Sequence, residues 1–126
     1  MDNPLAFVIE DNEAQADLFS EALQKAKFDV EIISDGKAAL SRLSAIIPNV
    51  VVLDINLPYV SGIDILHYIH SDTRLAKTHI IIASANPQMA MDLENEADLI
   101  LIKPVSYFQL RDLAARLRDT ATSGGE

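Results

Sequence analysis

The stretch Val50-Val51-Val52-Leu53-Asp54-Ile55-Asn56-Leu57-Pro58 decides the fold. Its first four residues are apolar, three of them β-branched, with no polar alternation, the pattern of a strand covered on both faces in a parallel sheet. The run stops on an acid, and no helix begins for several residues afterwards. Four further runs share this character, at Leu5–Ile9, 30–33, 80–83 and Leu99–Ile102. Between the runs, apolar residues recur at helical spacing: Ala14, Leu18, Ala22 and Ala26, with Phe19 and Leu23 alongside, form one such stripe. A second helix is predicted over 37–45, after Asp35 and Gly36, with Pro48 beyond its exit. The third runs from about 61 to 72 with Ile63, Leu66 and Ile69 or Tyr68 inward. Asn86 and Pro87 open a fourth carrying Met89, Ala90 and Leu93. Ser106 caps the fifth, in which Leu110, Leu113, Ala114 and Leu117 repeat up to about Asp119.

Strict alternation of strand and helix implies a parallel sheet, because right-handed crossovers carry successive helices to its two faces. The expectation is a doubly wound α/β fold with five strands in the order 2-1-3-4-5, in one domain spanning 1–126. Its core covers about 5–119, and 120–126, with Ser123, Gly124 and Gly125, form a flexible tail. In that order, ligands bind outside the carboxyl ends of strands 1 and 3, where the winding reverses.

Composition narrows the function further. Nineteen Asp and Glu against ten Lys and Arg leave a formal charge of −9 on 126 residues, with 49% hydrophobic content that is enough to bury a core. An acidic chain without a basic run lacks the electrostatic footprint for nucleic acid or anionic lipid. The absence of cysteine excludes disulfides, thiolate zinc sites and cysteine nucleophiles. No apolar run approaches a membrane span, and no basic leader precedes the first strand, so the expected location is cytoplasmic.

Strand 1 ends on Glu10 and Asp11, and strand 3 on Asp54. As neighbours, these strands bring three carboxylates together, and two like charges about 4 Å apart repel by about 4 kcal/mol at an effective dielectric near 20. A divalent cation with oxygen ligands offsets that repulsion, and oxygen donors suit Mg²⁺ better than zinc. The plainer reading has each acid capping a local turn or helix, which is open for Asp11 but poor for Asp54. Strand 4 runs out at Ser84 and strand 5 at Lys103 and Pro104, adding a hydroxyl and an ammonium to the same edge. Singly, each can be a local backbone contact or a solvated side chain; together the set suits phosphoryl transfer, which needs positioning and charge neutralisation.

These pieces give the chain a resemblance to the receiver domains of two-component response regulators, the CheY-like, flavodoxin-like (βα)5 fold. The matching stretches are Val8-Ile9-Glu10-Asp11-Asn12-Glu13, Val51 to Pro58 with Gly62 beyond, Ile82-Ala83-Ser84-Ala85, and Lys103-Pro104. The resemblance implies that Asp54 is the phosphoacceptor, served by a sensor histidine kinase or a histidine phosphotransfer protein. It implies Mg²⁺ held by Asp11 and Asp54, with Glu10 binding directly or through water and Asn56 through its backbone carbonyl. Lys103 would pair with phosphoryl oxygens, Ser84 would move inward to bond one, and the Lys103–Pro104 bond would be cis. The phosphorylated domain would then switch the binding of a downstream protein through its helix 4, strand 5 and helix 5 face. On this reading the chain is a stand-alone signalling switch rather than an enzyme, a monomer or weak homodimer, with no nucleic-acid or membrane partner.

The family often carries an aromatic residue three positions before the lysine; here it is Ile100. Output would then depend on the loop after strand 4 and on Met89, Met91 and Tyr107. That substitution also admits a phosphorylation-independent adaptor of receiver shape. A haloacid-dehalogenase-like phosphatase is the enzymatic alternative, but its second acid, two residues after the nucleophile, is Asn56 here. His67 and His70 could clasp a transition metal or simply be solvated, and His79 reads as an edge residue. Arg111, Arg116 and Arg118 could meet an acidic partner or form an ordinary solvated face.

Overall fold

The computed structural model describes residues 3–57 and 60–123. Five strands, β1 (Leu5–Ile9), β2 (Asp29–Ile33), β3 (Val50–Asp54), β4 (His79–Ser84) and β5 (Leu99–Ile102), form one parallel sheet in the order β2-β1-β3-β4-β5, as expected. The helices between them are α1 (Glu13–Lys25), α2 (Gly36–Ala45), α3 (Gly62–Ser71), α4 (Pro87–Asp92) and α5 (Tyr107–Ser123).

Side chains alternate across the sheet and divide the core in two. Phe7, Ile9, Val51, Leu53, Ile80 and Ile82 pack under α2 and α3 with Leu93, while Ala6, Val8, Val50, Val52, Ile81 and Ala83 pack under α1 and α5. Burial on both faces is why β3 reads as a continuous apolar run. Register then sets the site: Ile9 pairs with Leu53, Asp54 with Ala83, and Ser84 with Ile102, so the residues that follow leave the sheet side by side.

The buried face of α3 is Gly62, Ile65, Leu66 and Ile69, whereas Ile63 is only partly buried and Tyr68 likewise packs at the margin of the core. Steps of three residues fall about 60° short of a turn, so Ile63, Leu66 and Ile69 spread over about 120° and Ile63 sits at the margin; the fully buried set lies within an arc of about 100°. Short 3₁₀ turns at Thr73–Leu75 and Glu94–Glu96, absent from the sequence reading, lead into β4 and β5. The fifth helix is continuous to Ser123, four residues past its expected end, and 124–126 of the expected tail lie outside the described residues. Among the described residues no helix is long and apolar enough to cross a membrane.

Candidate functional site

Glu10 leaves β1 and is 1% exposed; Asp54 ends β3 and is 4% exposed; Asp11 is exposed at the rim. One carboxylate oxygen from each can be drawn within 4.8 Å of the other two. Lys103, just past β5, reaches back across the sheet edge: its Nζ lies 2.9 Å from Glu10 Oε1 and 3.4 Å from Asp54 Oδ2. The Lys103 amide donates to the Ser84 carbonyl at 2.8 Å, which fixes its backbone to β4, and the Lys103–Pro104 bond is cis.

Backbone amides complete the support of both buried acids. Asn56 N–H donates to Asp54 Oδ1 at 3.0 Å, and Asn12 N–H donates to Glu10 Oε2 at 3.2 Å. Asn12 Oδ1 also accepts from the Gln15 amide at 2.9 Å, so Asn12, not Asp11, caps α1. The signal was present in the sequence as an Asn directly before the helical stripe. With the cap supplied by its neighbour, Asp11 has no capping role.

The loop after β3 returns beneath the site, where the Gly62 amide donates to the Ile55 carbonyl at 3.1 Å. A Cβ on Gly62 would stand 2.5 Å from Ile55 Cα and 2.6 Å from the Asp54 carbonyl oxygen. Only glycine fits that approach, and it holds the backbone that carries Asp54. Pro58 lies outside the described residues.

The Glu10 carboxyl is pushed up from 4.5 to about 7, chiefly by burial and also by a side-chain hydrogen bond with Asp54 and by the Asp54 charge, against the downward pull of Lys103 and the Asn12 amide. One ammonium thus falls short of offsetting two buried carboxylates, and the pair keeps a proton near neutral pH. Such a group of oxygen donors, two buried and one facing solvent, fits a hard divalent cation that would replace the proton.

Ser84 is fully buried, and its hydroxyl is engaged by the Asn86 backbone. Its hydroxyl donates to the Asn86 carbonyl at 3.2 Å and accepts from the Asn86 amide at 3.0 Å. The structure therefore brings Glu10, Asp11, Asp54, Lys103 and the Asn56 amide together, with the Ser84 hydroxyl bonded to the Asn86 backbone. His67 and His70 both meet Glu96, His67 Nε2 at 3.9 Å from its Oε1 and His70 Nε2 at 2.6 Å from its carbonyl oxygen, and among the described residues they belong to no group of three metal-ligating side chains.

Comparison with known proteins agrees with the fold. Residues 6–116 match the response regulator receiver domain model, and the chain belongs to that family. It is 29% identical over 111 residues to the DNA-binding response regulator MtrA of Mycobacterium tuberculosis, covering 88% of this chain and 47% of that protein. It is similar in structure to the signal receiver domain of a LuxO repressor-type protein from Vibrio parahaemolyticus, with TM-score 0.85, 25% identity, and 98% and 95% of the two chains covered. The receiver domain of the Francisella response regulator 1452 gives TM-score 0.83 at 26% identity, with 94% and 99% covered. The chain spans about half the length of the curated relatives it matches. Those named as DNA-binding leave the expected absence of a nucleic-acid partner without support.

Proposed function

We propose that this receiver domain takes a phosphoryl group from a histidine of a kinase or phosphotransfer protein onto Asp54, and thereby changes what binds the face formed by α4, β5 and α5. The convergence of Lys103 Nζ on Glu10 and Asp54 beside exposed Asp11 carries the reading. An Asp54 carboxylate oxygen forms the bond to phosphorus as the P–N bond of the phosphohistidine breaks, and the leaving imidazole nitrogen keeps the electron pair and takes a proton from solvent. Mg²⁺ held by Glu10, Asp11, Asp54 and the Asn56 carbonyl would supply charge neutralisation at the transferring group. Lys103 already stands beside Asp54 Oδ2 and pairs with the incoming oxygens, and Ser84 turns inward to donate to another. The phosphoryl group stays on the protein, so the domain is a switch and not a turnover enzyme.

The output face presents apolar side chains to solvent: Met91 is 66% exposed, Ile102 44% and Phe108 64%. Ile100 and Ile102 line a groove of about 230 Å³ with Pro87, Ala90, Met91 and Glu94. Such a patch suits a protein partner, either a separate target or, in a chain continuing as the relatives do, a neighbouring domain. Incubation with acetyl phosphate and Mg²⁺, read by intact-protein mass spectrometry, is expected to add one phosphate to the wild type and none to Asp54→Asn. Equal labelling of the two overturns the reading.

Ile100 favours a second reading, a receiver-shaped adaptor that binds partners regardless of phosphorylation. Partner affinity measured with and without beryllofluoride separates the two, since a switch requires different affinities in its two states.

A further inference from the structure

Gly36 opens α2 at a position where alanine forms helix better, and its φ lies outside the left-handed region that favours glycine. Space is what requires it. A Cβ on Gly36 would stand 2.7 Å from both Val60 Cβ and the Val60 carbonyl oxygen, and 3.1 Å from Val60 Cγ1. Val60 belongs to the loop between β3 and α3, which begins just after Asp54. Among the described residues that loop is held at two points. At its base the Gly62 amide donates to the Ile55 carbonyl at 3.1 Å, and on its outer side Val60 seats on Gly36. The corner that carries Gly36 also touches the other acid-bearing strand end, where the Glu10 amide donates to the Ile33 carbonyl at 3.1 Å. Asp35 Oδ1 fixes the same corner by accepting from the Ala38 amide at 2.8 Å. Residues 33–36 thus join the backbone of Glu10 to the loop beyond Asp54.

We infer that Gly36 is a positioning residue for the phosphoacceptor site: it admits Val60 against the first turn of α2 and so sets the loop whose Asn56 amide donates to Asp54 Oδ1 at 3.0 Å. The inference rests on the phosphoacceptor reading of Asp54. With a Cβ at position 36, ordinary contact needs a shift of about 0.7 Å, from 2.7 Å out to 3.4 Å. One clashing atom is a backbone oxygen and the other a Cβ, so turning the Val60 side chain relieves neither. Ala39 and Leu43 anchor α2 in a close-packed core, so the loop gives way rather than the helix. Two residues beyond Val60, the Gly62 hydrogen bond passes that shift to Ile55, next to the acid.

The test compares the whole chain as wild type, Asp54→Asn, Gly36→Ala, Val60→Ala and Ala38→Gly. Labelling by acetyl phosphate is followed by intact-protein mass spectrometry, and Mg²⁺ affinity without phosphodonor by calorimetry. Gly36→Ala is expected to label about tenfold more slowly and to bind Mg²⁺ about tenfold more weakly than wild type. Val60→Ala empties the seat without forcing the backbone; it is expected to slow labelling about threefold and decides the matter where Gly36→Ala does not fold. Ala38→Gly weakens the same helix without adding an atom beside Val60, and is expected to keep both values within about twofold of wild type. Wild-type labelling and Mg²⁺ affinity in Gly36→Ala, or wild-type labelling in Val60→Ala where the first variant does not fold, overturns the inference while leaving Asp54 as the acceptor. An equal loss in Ala38→Gly overturns it too, since helix stability alone then accounts for the effect. Labelling that survives in Asp54→Asn, or no labelling of wild type, sinks the acceptor reading and this inference with it.

Discussion

Glu10 gives the sharpest quantitative consequence of the site. Its carboxyl is 1% exposed and holds its proton to about 7, against an ordinary value of 4.5, chiefly because burial disfavours the anion. Between those two pH values the folded chain binds a proton that the unfolded chain has released. Stability from this group is therefore fully present below 4.5 and is lost as pH rises through about 7. The interval corresponds to about 3 kcal/mol, a large fraction of the roughly 5–15 kcal/mol that stabilises a domain. Glu10→Gln removes the titration while preserving shape. Urea unfolding in EDTA from pH 4.5 to 8 is expected to show the variant gaining about 3 kcal/mol on wild type across that range, most of it before pH 7.5. Taking the difference between the two proteins cancels the three histidines, which titrate in both. A difference that stays flat with pH would falsify the claim that burial and Asp54 together hold the proton. A difference of the opposite sign would mean that Lys103 outweighs burial.

Further expectations follow from single contacts. Lys103→Met leaves Glu10 and Asp54 buried without their shared cation; urea unfolding at pH 8 should show a loss of about 3–5 kcal/mol, shrinking at pH 5 where Glu10 is protonated. Gly62→Ala forces a Cβ against Ile55 Cα and the Asp54 carbonyl, costing about 1–3 kcal/mol in unfolding and slowing labelling by acetyl phosphate; an unchanged labelling rate would show that the β3 end tolerates the shift. Lys27, at φ 74° just past α1, adopts a left-handed conformation that glycine takes freely, so Lys27→Gly is expected to stabilise the fold by about 1 kcal/mol in the same assay.

Much of this arrangement was legible before any coordinates. Runs such as 50–53 betray strands covered on both faces, and the crossover rule then fixes which runs are neighbours, so the meeting of Glu10 with Asp54 follows from strand order alone. What sequence could not rank was the three acids: Glu10 and Asp11 are adjacent letters, yet the end of β1 buries one beside Lys103 and turns the other to solvent. The direction of Ser84 was equally hidden, because a hydroxyl chooses between Asp54 and Asn86 by side-chain rotation, which leaves no trace in a hydrophobic pattern. The inward face of α3 was read correctly at Leu66 and Ile69, with Ile63 and Tyr68 at its margin; Ile65 was missed because a three-residue period was taken where the helix repeats at 3.6.

On the proposed reading of Asp54 as phosphoacceptor, magnitudes also bound how the site would drive the face formed by α4, β5 and α5. Shifting a two-state equilibrium from 1:99 to 99:1 takes about 5.5 kcal/mol of differential interaction. A helix cap is worth about 1 kcal/mol, far short of that. The larger share has to come from bonds that exist only in the phosphorylated state, those of Lys103 and Ser84 to the new oxygens and of the cation to the added charge. Lys103 is already spent on Glu10 and Asp54, so its net gain is the difference between two pairings rather than the full value of one. A cation bound by Glu10 would free the ammonium for the phosphoryl group, which on the proposed reading would make Mg²⁺ a determinant of the switch's amplitude as well as of its chemistry. The response of partner affinity to phosphorylation should therefore depend less on Mg²⁺ concentration in Glu10→Gln than in wild type, because there Lys103 has no glutamate from which the cation must release it.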